Sequence, residues 1–190
     1  WRLVSVMAVS NEVGTVQDIA AIRAACPGAI LHTDAAQAPG RIPIDVGAWG
    51  VDLLSLSAHK VYGPKGVGAL FVRNGRLPGL EPRALGGGQE GGLRPGTLNV
   101  PGIVGMGEAC RLAAERLAGD RAAAEELSRA LLDGLQGLFP GARRLGAEPR
   151  APQILSLAFP GHEAAVLLLA LDAAGLAAAT GAACSSTKPE

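Results

Sequence analysis

Residues Leu3 to Val9 are rich in β-branched and apolar types and run directly into the polar stretch Ser10-Asn11-Glu12-Val13-Gly14, which predicts a strand ending in a loop. Asp18 then stands where it can cap a helix over Ile19 to Ala25. A short apolar strand, Ala29 to Thr33, delivers Asp34 at its C-terminal end. The strands Asp52 to Leu56 and Gly68 to Val72 follow, joined by a loop through Gly63-Pro64-Lys65-Gly66. Strand–helix–strand order of this kind builds an open, mainly parallel sheet, and in such sheets ligand groups gather at the C-terminal ends of the strands. Asn11, Asp34 and Ser57-Ala58-His59-Lys60 each occupy such an end.

Beyond Val72 the pattern changes. Gly86 to Gly96 is too glycine-dense for a regular element and too short for an interdomain tether, so it reads as an ordered functional loop. Helical periodicity then covers Ile103 to Leu117 and Ala122 to Leu138, followed by a strand at Ile154 to Phe159, a helix at Glu163 to Ala174 and a segment of small residues. The shift from strand-dense to helix-dense order predicts a domain boundary near Gly119-Asp120, with residues 1–118 in one domain and 119–190 in another. No internal repeat is evident. The first strand begins at the first residues and the chain stops soon after a reactive-looking loop, so it reads as a piece of something larger.

Composition narrows the class. The 190 residues are 48% hydrophobic but only 3% aromatic, and rich in Gly and Ala, which suits tightly packed α/β layers better than an aromatic-rich sandwich. Acidic and basic side chains balance to a formal charge of +0, so no global field draws in nucleic acid or an anionic membrane. The longest apolar run, Ala164 to Leu171, falls well short of the ~20 residues that span a bilayer. The N-terminus lacks the features of a secretory signal, and a cytoplasmic protein is expected. Cys26, Cys110 and Cys184 are widely spaced with no CxxC pair, which argues against a disulfide framework or a zinc site. Cys26 and Cys110 read as packing residues.

Lysine usage carries the chemistry. The chain has three lysines, Lys60, Lys65 and Lys188, against fourteen arginines, so plain positive charge is supplied by Arg and a retained Lys is informative. Arg cannot condense with a carbonyl, whereas a Lys amine can. Lys60 follows an apolar strand and is flanked by Ser57 and His59, both able to bind a phosphate; Lys65, inside a Gly-Pro turn, reads as a surface residue. Asp34, in His32-Thr33-Asp34-Ala35-Ala36-Gln37, precedes small residues that would let a flat ring approach the backbone. A carboxylate that keeps a pyridine nitrogen protonated, paired with a reactive lysine, is a mark of enzymes using pyridoxal 5'-phosphate (PLP).

Six segments, taken in order, resemble the cysteine desulfurases that feed iron–sulfur cluster assembly, within the class-V aminotransferase family. They are Asn11-Glu12-Val13-Gly14, Asp34-Ala35-Ala36-Gln37, Ser57-Ala58-His59-Lys60, Gly86-Gly87-Gly88-Gln89-Glu90, Arg94-Pro95-Gly96-Thr97 and Gly181-Ala182-Ala183-Cys184-Ser185-Ser186. The resemblance implies a PLP-transferase fold of the aspartate aminotransferase-like type: part of the large domain's mainly parallel sheet, plus part of a smaller α+β domain. It further implies that Lys60 holds the cofactor covalently, Asp34 partners the pyridine nitrogen and Gln37 the ring hydroxyl. Asn11 would lie beside the ring, Ser57 and His59 would bind the phosphate, and Thr97 would reach the phosphate of a neighbouring subunit's cofactor, making a homodimer. L-cysteine would be the substrate, and sulfur acceptors or iron–sulfur scaffold proteins the partners.

Cys184 lies among small residues, Ala179 to Thr187, suited to a mobile loop. In the family this cysteine's thiolate takes the sulfur of cysteine as a persulfide and alanine departs. The chain departs from the family at Gly91, where Arg is frequent, and at Thr180-Gly181-Ala182-Ala183-Cys184, where Ser-Gly-Ser-Ala-Cys is frequent. The family's upstream phosphate-binding turn, its ring-stacking histidine and its downstream carboxylate-binding arginine have no counterpart in these residues. The competing readings are a selenocysteine lyase or aminotransferase of the same fold, and a non-catalytic scaffold; Cys184 favours the desulfurase.

Overall fold

A computed structural model describes residues 2–75, 77 and 79–181. The chain forms two compact units, one of residues 1–9 and 17–120, the other of residues 10–16 and 121–190.

The first unit is built on a four-stranded sheet in the order β1 (Leu3–Met7), β2 (Ile30–Asp34), β3 (Leu53–Ser57), β4 (Gly68–Val72). β1, β2 and β3 are parallel and β4 is antiparallel, so the sheet is mainly parallel as the sequence pattern predicts. Strand alternation sends Leu31, Thr33 and Leu54 into the core with Ala8, Val9, Ile19, Ala35 and Val51, all at most 2% exposed. Thr33 is accommodated there because its hydroxyl donates to the Val6 carbonyl at 2.9 Å. The other face carries Leu3, Ser5, Met7, His32, Asp34, Ser55 and Leu70, and Leu3, Met7 and Leu70 are 42–55% exposed.

α1 (Ile19–Ala25) begins where the sequence places it: Asp18 accepts the Ala21 N–H at 2.9 Å. Arg23, near its end, ties the helix to the sheet by donating to the carbonyls of Cys26 and Ala29 and pairing with Asp52 at 3.1 Å. Asp52 also accepts the Leu31 N–H at 2.8 Å and lies 3.6 Å from Arg73. One carboxylate thus links α1, β2 and β3, and it is about four-fifths buried. Asp52→Ala is expected to lower stability by about 2 kcal/mol, because it strands a partly buried Arg23 and a backbone donor. The check is the denaturation midpoint of the full-length protein, and an unchanged midpoint would show that water replaces the carboxylate without cost.

β4 can close against β3 only because residue 68 is glycine: a Cβ there would meet the Leu56 carbonyl oxygen at 2.5 Å. α2 (Val46–Trp49) is a single turn capped by Asp45. α3 (Val100–Leu138) follows, and in its first half Gly105, Ala109 and Ala113 form a row at helical spacing. This row of small residues lies against Pro64, Gly63 and Gly40, at 3.0 to 3.4 Å from them once a Cβ is built on each glycine. The two loops that end β2 and β3 are thereby seated on one helix.

α3 is one helix, not the two that periodicity suggests. A mid-helix glycine costs only about 1 kcal/mol relative to Ala, and Gly119 sits between runs of Ala, Leu, Glu and Arg that favour helix on both sides. In the second unit, a two-residue ladder pairs β5 (Arg143–Arg144) with β6 (Leu157–Ala158). The expected strand from Ile154 to Phe159 shrinks to that length because its partner is bounded by turn-forming Pro140-Gly141 and Gly146. Residues 10–16 join this unit through the bonds Ala151 N–H to Gly14 O and Val16 N–H to Pro149 O. Gly14 is required there, with φ +73° and the Ile154 carbonyl oxygen 2.9 Å from where its Cβ would stand. Arg150, 7% exposed, donates to the carbonyls of Leu145 and Gly146 and to Glu148, and so holds the 145–150 loop. α4 (Ala164–Ala173) is almost wholly apolar, yet none of its residues is buried.

Candidate functional site

Asp34 and Ser57 end two adjacent parallel strands, about 4.8 Å apart by ordinary strand spacing. Register places Asp34 beside Ser55, with Ser57 two residues further on the same face of β3. Asp34 is exposed; its Oδ1 accepts the Ala36 N–H at 2.9 Å, while Oδ2 has no partner among the described residues. Its backbone carbonyl accepts the Ala8 N–H at 2.8 Å, which fixes the end of β2 against the chain leaving β1.

Past Ser57 the chain makes a single 3₁₀ turn, Ala58–Val61, in which Ala58 and Val61 are buried and His59 and Lys60 are exposed. Ala58 and Val61, three apart, share the buried face of the turn, which leaves the two residues between them outward. The turn closes on Tyr62, whose φ of +64° is unusual for a bulky residue, and whose side chain is fully exposed. Ser57 Oγ lies 2.9 Å from His59 Nδ1, so hydroxyl and imidazole form a hydrogen-bonded pair beside Lys60. The Lys60 amine has no hydrogen-bond or ion-pair partner among the described residues.

Gln37 lies in the turns that follow Asp34, and Arg41 donates to both its backbone carbonyl, at 2.9 Å, and its side-chain Oε1. Burial pushes the Arg41 guanidinium below its ordinary value, an effect opposed by the nearby Tyr62 phenol. On the open sheet face, one rung before Asp34, His32 bridges three strands: Nδ1 is 2.7 Å from Ser5 Oγ and Nε2 is 3.3 Å from Ser55 Oγ.

Asp34, Gln37, Ser57, His59 and Lys60 are therefore brought to the C-terminal ends of β2 and β3, the two inner strands of one sheet. Thr97 belongs to the same unit but lies in the loop before α3, exposed, its carbonyl accepting from Arg94 at 3.3 Å. That loop is ordered by its own bonds: Gly96 N–H reaches Gln89 Oε1 at 3.1 Å, and Glu90 and Gly91 adopt positive φ within a short 3₁₀ segment at Gln89–Gly92. Asn11 is exposed at the tip of the 10–14 turn, which Ser10 Oγ caps, and it belongs to the second unit. Cys184 lies outside the described residues.

Sequence reading overlooked His32 and Arg41. Period-two alternation could have found the first, since it stands two residues before Asp34 on the same strand face. The second had a turn signal, Pro39-Gly40, but nothing that named its target.

An uncommitted carboxylate oxygen, a free amine, a serine–imidazole pair and a clamped amide suit a flat nitrogen heterocycle bearing an aldehyde, a hydroxyl and a phosphate. Among the described residues there is no cluster of three or more His, Cys, Asp or Glu that could hold a metal ion, and no helix long and apolar enough to cross a membrane.

Comparison with known proteins agrees in kind. The family model for aminotransferase class-V matches residues 1–189. The chain is 47% identical over 190 residues to a protein named cysteine desulfurase IscS from Neisseria meningitidis serogroup C, covering 99% of this chain and 46% of that protein. It is 44% identical to a mitochondrial cysteine desulfurase from Arthroderma benhamiae, covering 99% of this chain and 37% of the relative. A solved structure of a NifS-like protein superposes with a TM-score of 0.83 at 40% identity, over 92% of this chain and 48% of that one. The chain thus spans less than half the length of these relatives. With strand ends of this composition and a family match along nearly its whole length, the chain belongs to the class-V aminotransferase family.

Proposed function

We propose that the protein containing this chain is a PLP-dependent cysteine desulfurase, which takes sulfur from L-cysteine, releases L-alanine and passes the sulfur on to iron–sulfur cluster assembly or another acceptor. The observation that carries this reading is the gathering of Asp34, Gln37, Ser57, His59 and Lys60 at the ends of β2 and β3. The names and degree of identity of the relatives support it.

In this reading Lys60 anchors the cofactor through its amine, and Asp34 Oδ2 holds the ring nitrogen protonated. Gln37 meets the ring hydroxyl, with Asn11 beside the ring. Ser57 and His59 bind the phosphate, and Thr97 serves the neighbouring subunit's phosphate in a homodimer. When bound, PLP supplies an electron sink that allows the C–S bond of cysteine to break. Cys184 accepts the sulfur as a persulfide. Residues 1–118 belong to the large cofactor-binding domain and 119–190 to the smaller one, and a cytoplasmic location is part of the same proposal.

The direct test is to supply the full-length protein with PLP, L-cysteine and a thiol reductant. Alanine and sulfide should appear in equal amounts, and their absence from a preparation that binds PLP would reject the activity. Asp34→Asn should keep the cofactor but slow turnover by about 10²–10³, the usual cost of removing a group aimed at developing charge. Wild-type turnover in that variant would remove Asp34 from the chemistry.

A further inference from the structure

Arg41 makes an unusual contact: a single nitrogen, Nη1, donates both to the backbone carbonyl of Gln37 and to the side-chain Oε1 of the same residue. The local sequence explains how a residue four positions on turns back this far. The Ala38 carbonyl accepts the Arg41 N–H at 3.0 Å across Pro39 and Gly40, and Gly40 has φ +71°. Proline second and a positive-φ glycine third is the residue order of a type II turn. The next backbone donor, Ile42 N–H, reaches the same carbonyl at 3.0 Å. Gly40 also faces Ala113 of α3, so the turn is backed by the row of small helical residues.

A guanidinium has only donors, so the amide atom turned toward Arg41 must be the oxygen. The Gln37 amide nitrogen is then turned away, and it has no partner among the described residues. We propose that Arg41 is a positioning residue: it sets the orientation of the Gln37 amide, so that Gln37 presents N–H donors, and never its carbonyl, to the oxygen substituent of a bound PLP ring. The inference rests on the reading above that Gln37 serves the ring hydroxyl. Without Arg41 the amide is free to rotate, and a flipped amide would set its carbonyl against the ring oxygen, where it repels the deprotonated, acceptor-only form of that oxygen and so favours the protonated one.

The test uses the full-length protein and two readouts other than turnover, the PLP dissociation constant and the absorption spectrum of bound PLP as a function of pH. Arg41→Met should weaken PLP binding about tenfold and shift the pH at which the two absorbing forms of the cofactor interchange. Arg41→Lys keeps a cationic donor beside the amide and should stay within about threefold of wild type. In a Gln37→Ala background, Arg41→Met should add nothing to either readout, because the amide it orients is gone. Three results would overturn the assignment: a wild-type spectrum and affinity in Arg41→Met, a Lys variant as impaired as the Met variant, or an Arg41→Met effect that persists in full without Gln37. A wild-type protein that binds no PLP would instead reject the functional reading itself.

Discussion

Replacing Lys60 with alanine in the full-length protein is expected to abolish the visible band of lysine-bound PLP and to reduce turnover to background, a loss of at least about 10³-fold. Lys60 stands outward on the 3₁₀ turn that follows β3, uncommitted to any partner among the described residues. Its one distinctive capacity is to condense with an aldehyde. Lys60→Arg should therefore fail as completely as Lys60→Ala, since it keeps the positive charge but has no amine for the bond. Borohydride reduction followed by peptide mapping gives the decisive reading. PLP trapped on Lys65 or Lys188 would show that another lysine holds it.

The second large effect belongs to Cys184. Cys184→Ser should bind PLP and L-cysteine as the wild type does, yet lose alanine release by at least about 100-fold, because a serine hydroxyl is a far weaker nucleophile near neutral pH than a thiol with a few per cent thiolate. Mass spectrometry of the wild type should find a sulfur-sized adduct on the peptide containing Cys184. The other two thiols provide internal controls. Cys26 sits half-buried at the end of α1, its N–H bonded to Ile22 and Arg23 carbonyls, and Cys110 is half-buried within α3. An adduct on either one, or wild-type alanine release from the serine variant, would remove Cys184 from sulfur transfer.

Legibility from sequence followed the range of the forces involved. α1 was readable to the residue because its start depends on one side chain, Asp18, three positions from its target. β2 and β3 were readable to within one residue because a short apolar run between polar turns is a local pattern, and with them came the placement of Asp34, Ser57, His59 and Lys60 at strand ends. Periodicity divides α3 in two because the apolar pattern breaks off between Leu117 and Ala122, yet the helix runs on, since Gly119 costs little beside the helix-forming residues around it. The 154–159 strand was overextended because strand length depends on a partner, and periodicity in one segment says nothing of how soon turns end the other. Arg41 was invisible for a related reason. Its contact with Gln37 depends on the fold of a turn and on the seat that α3 gives that turn.

The open sheet face opposite the core mixes polar Ser5, His32, Asp34 and Ser55 with exposed apolar side chains, and the apolar ones have a practical consequence. Parallel strands are normally covered on both sides, yet Leu3, Met7 and Leu70 face water on the first unit, and α4 offers Val166 and Leu169 on the second, 60% and 71% exposed. The isolated 190 residues thus carry two adhesive surfaces. On a chromatography resin or a plastic plate they would report adsorption before chemistry, and at high concentration their scattering would grow as they cluster. Light scattering therefore belongs ahead of any binding measurement on the isolated chain.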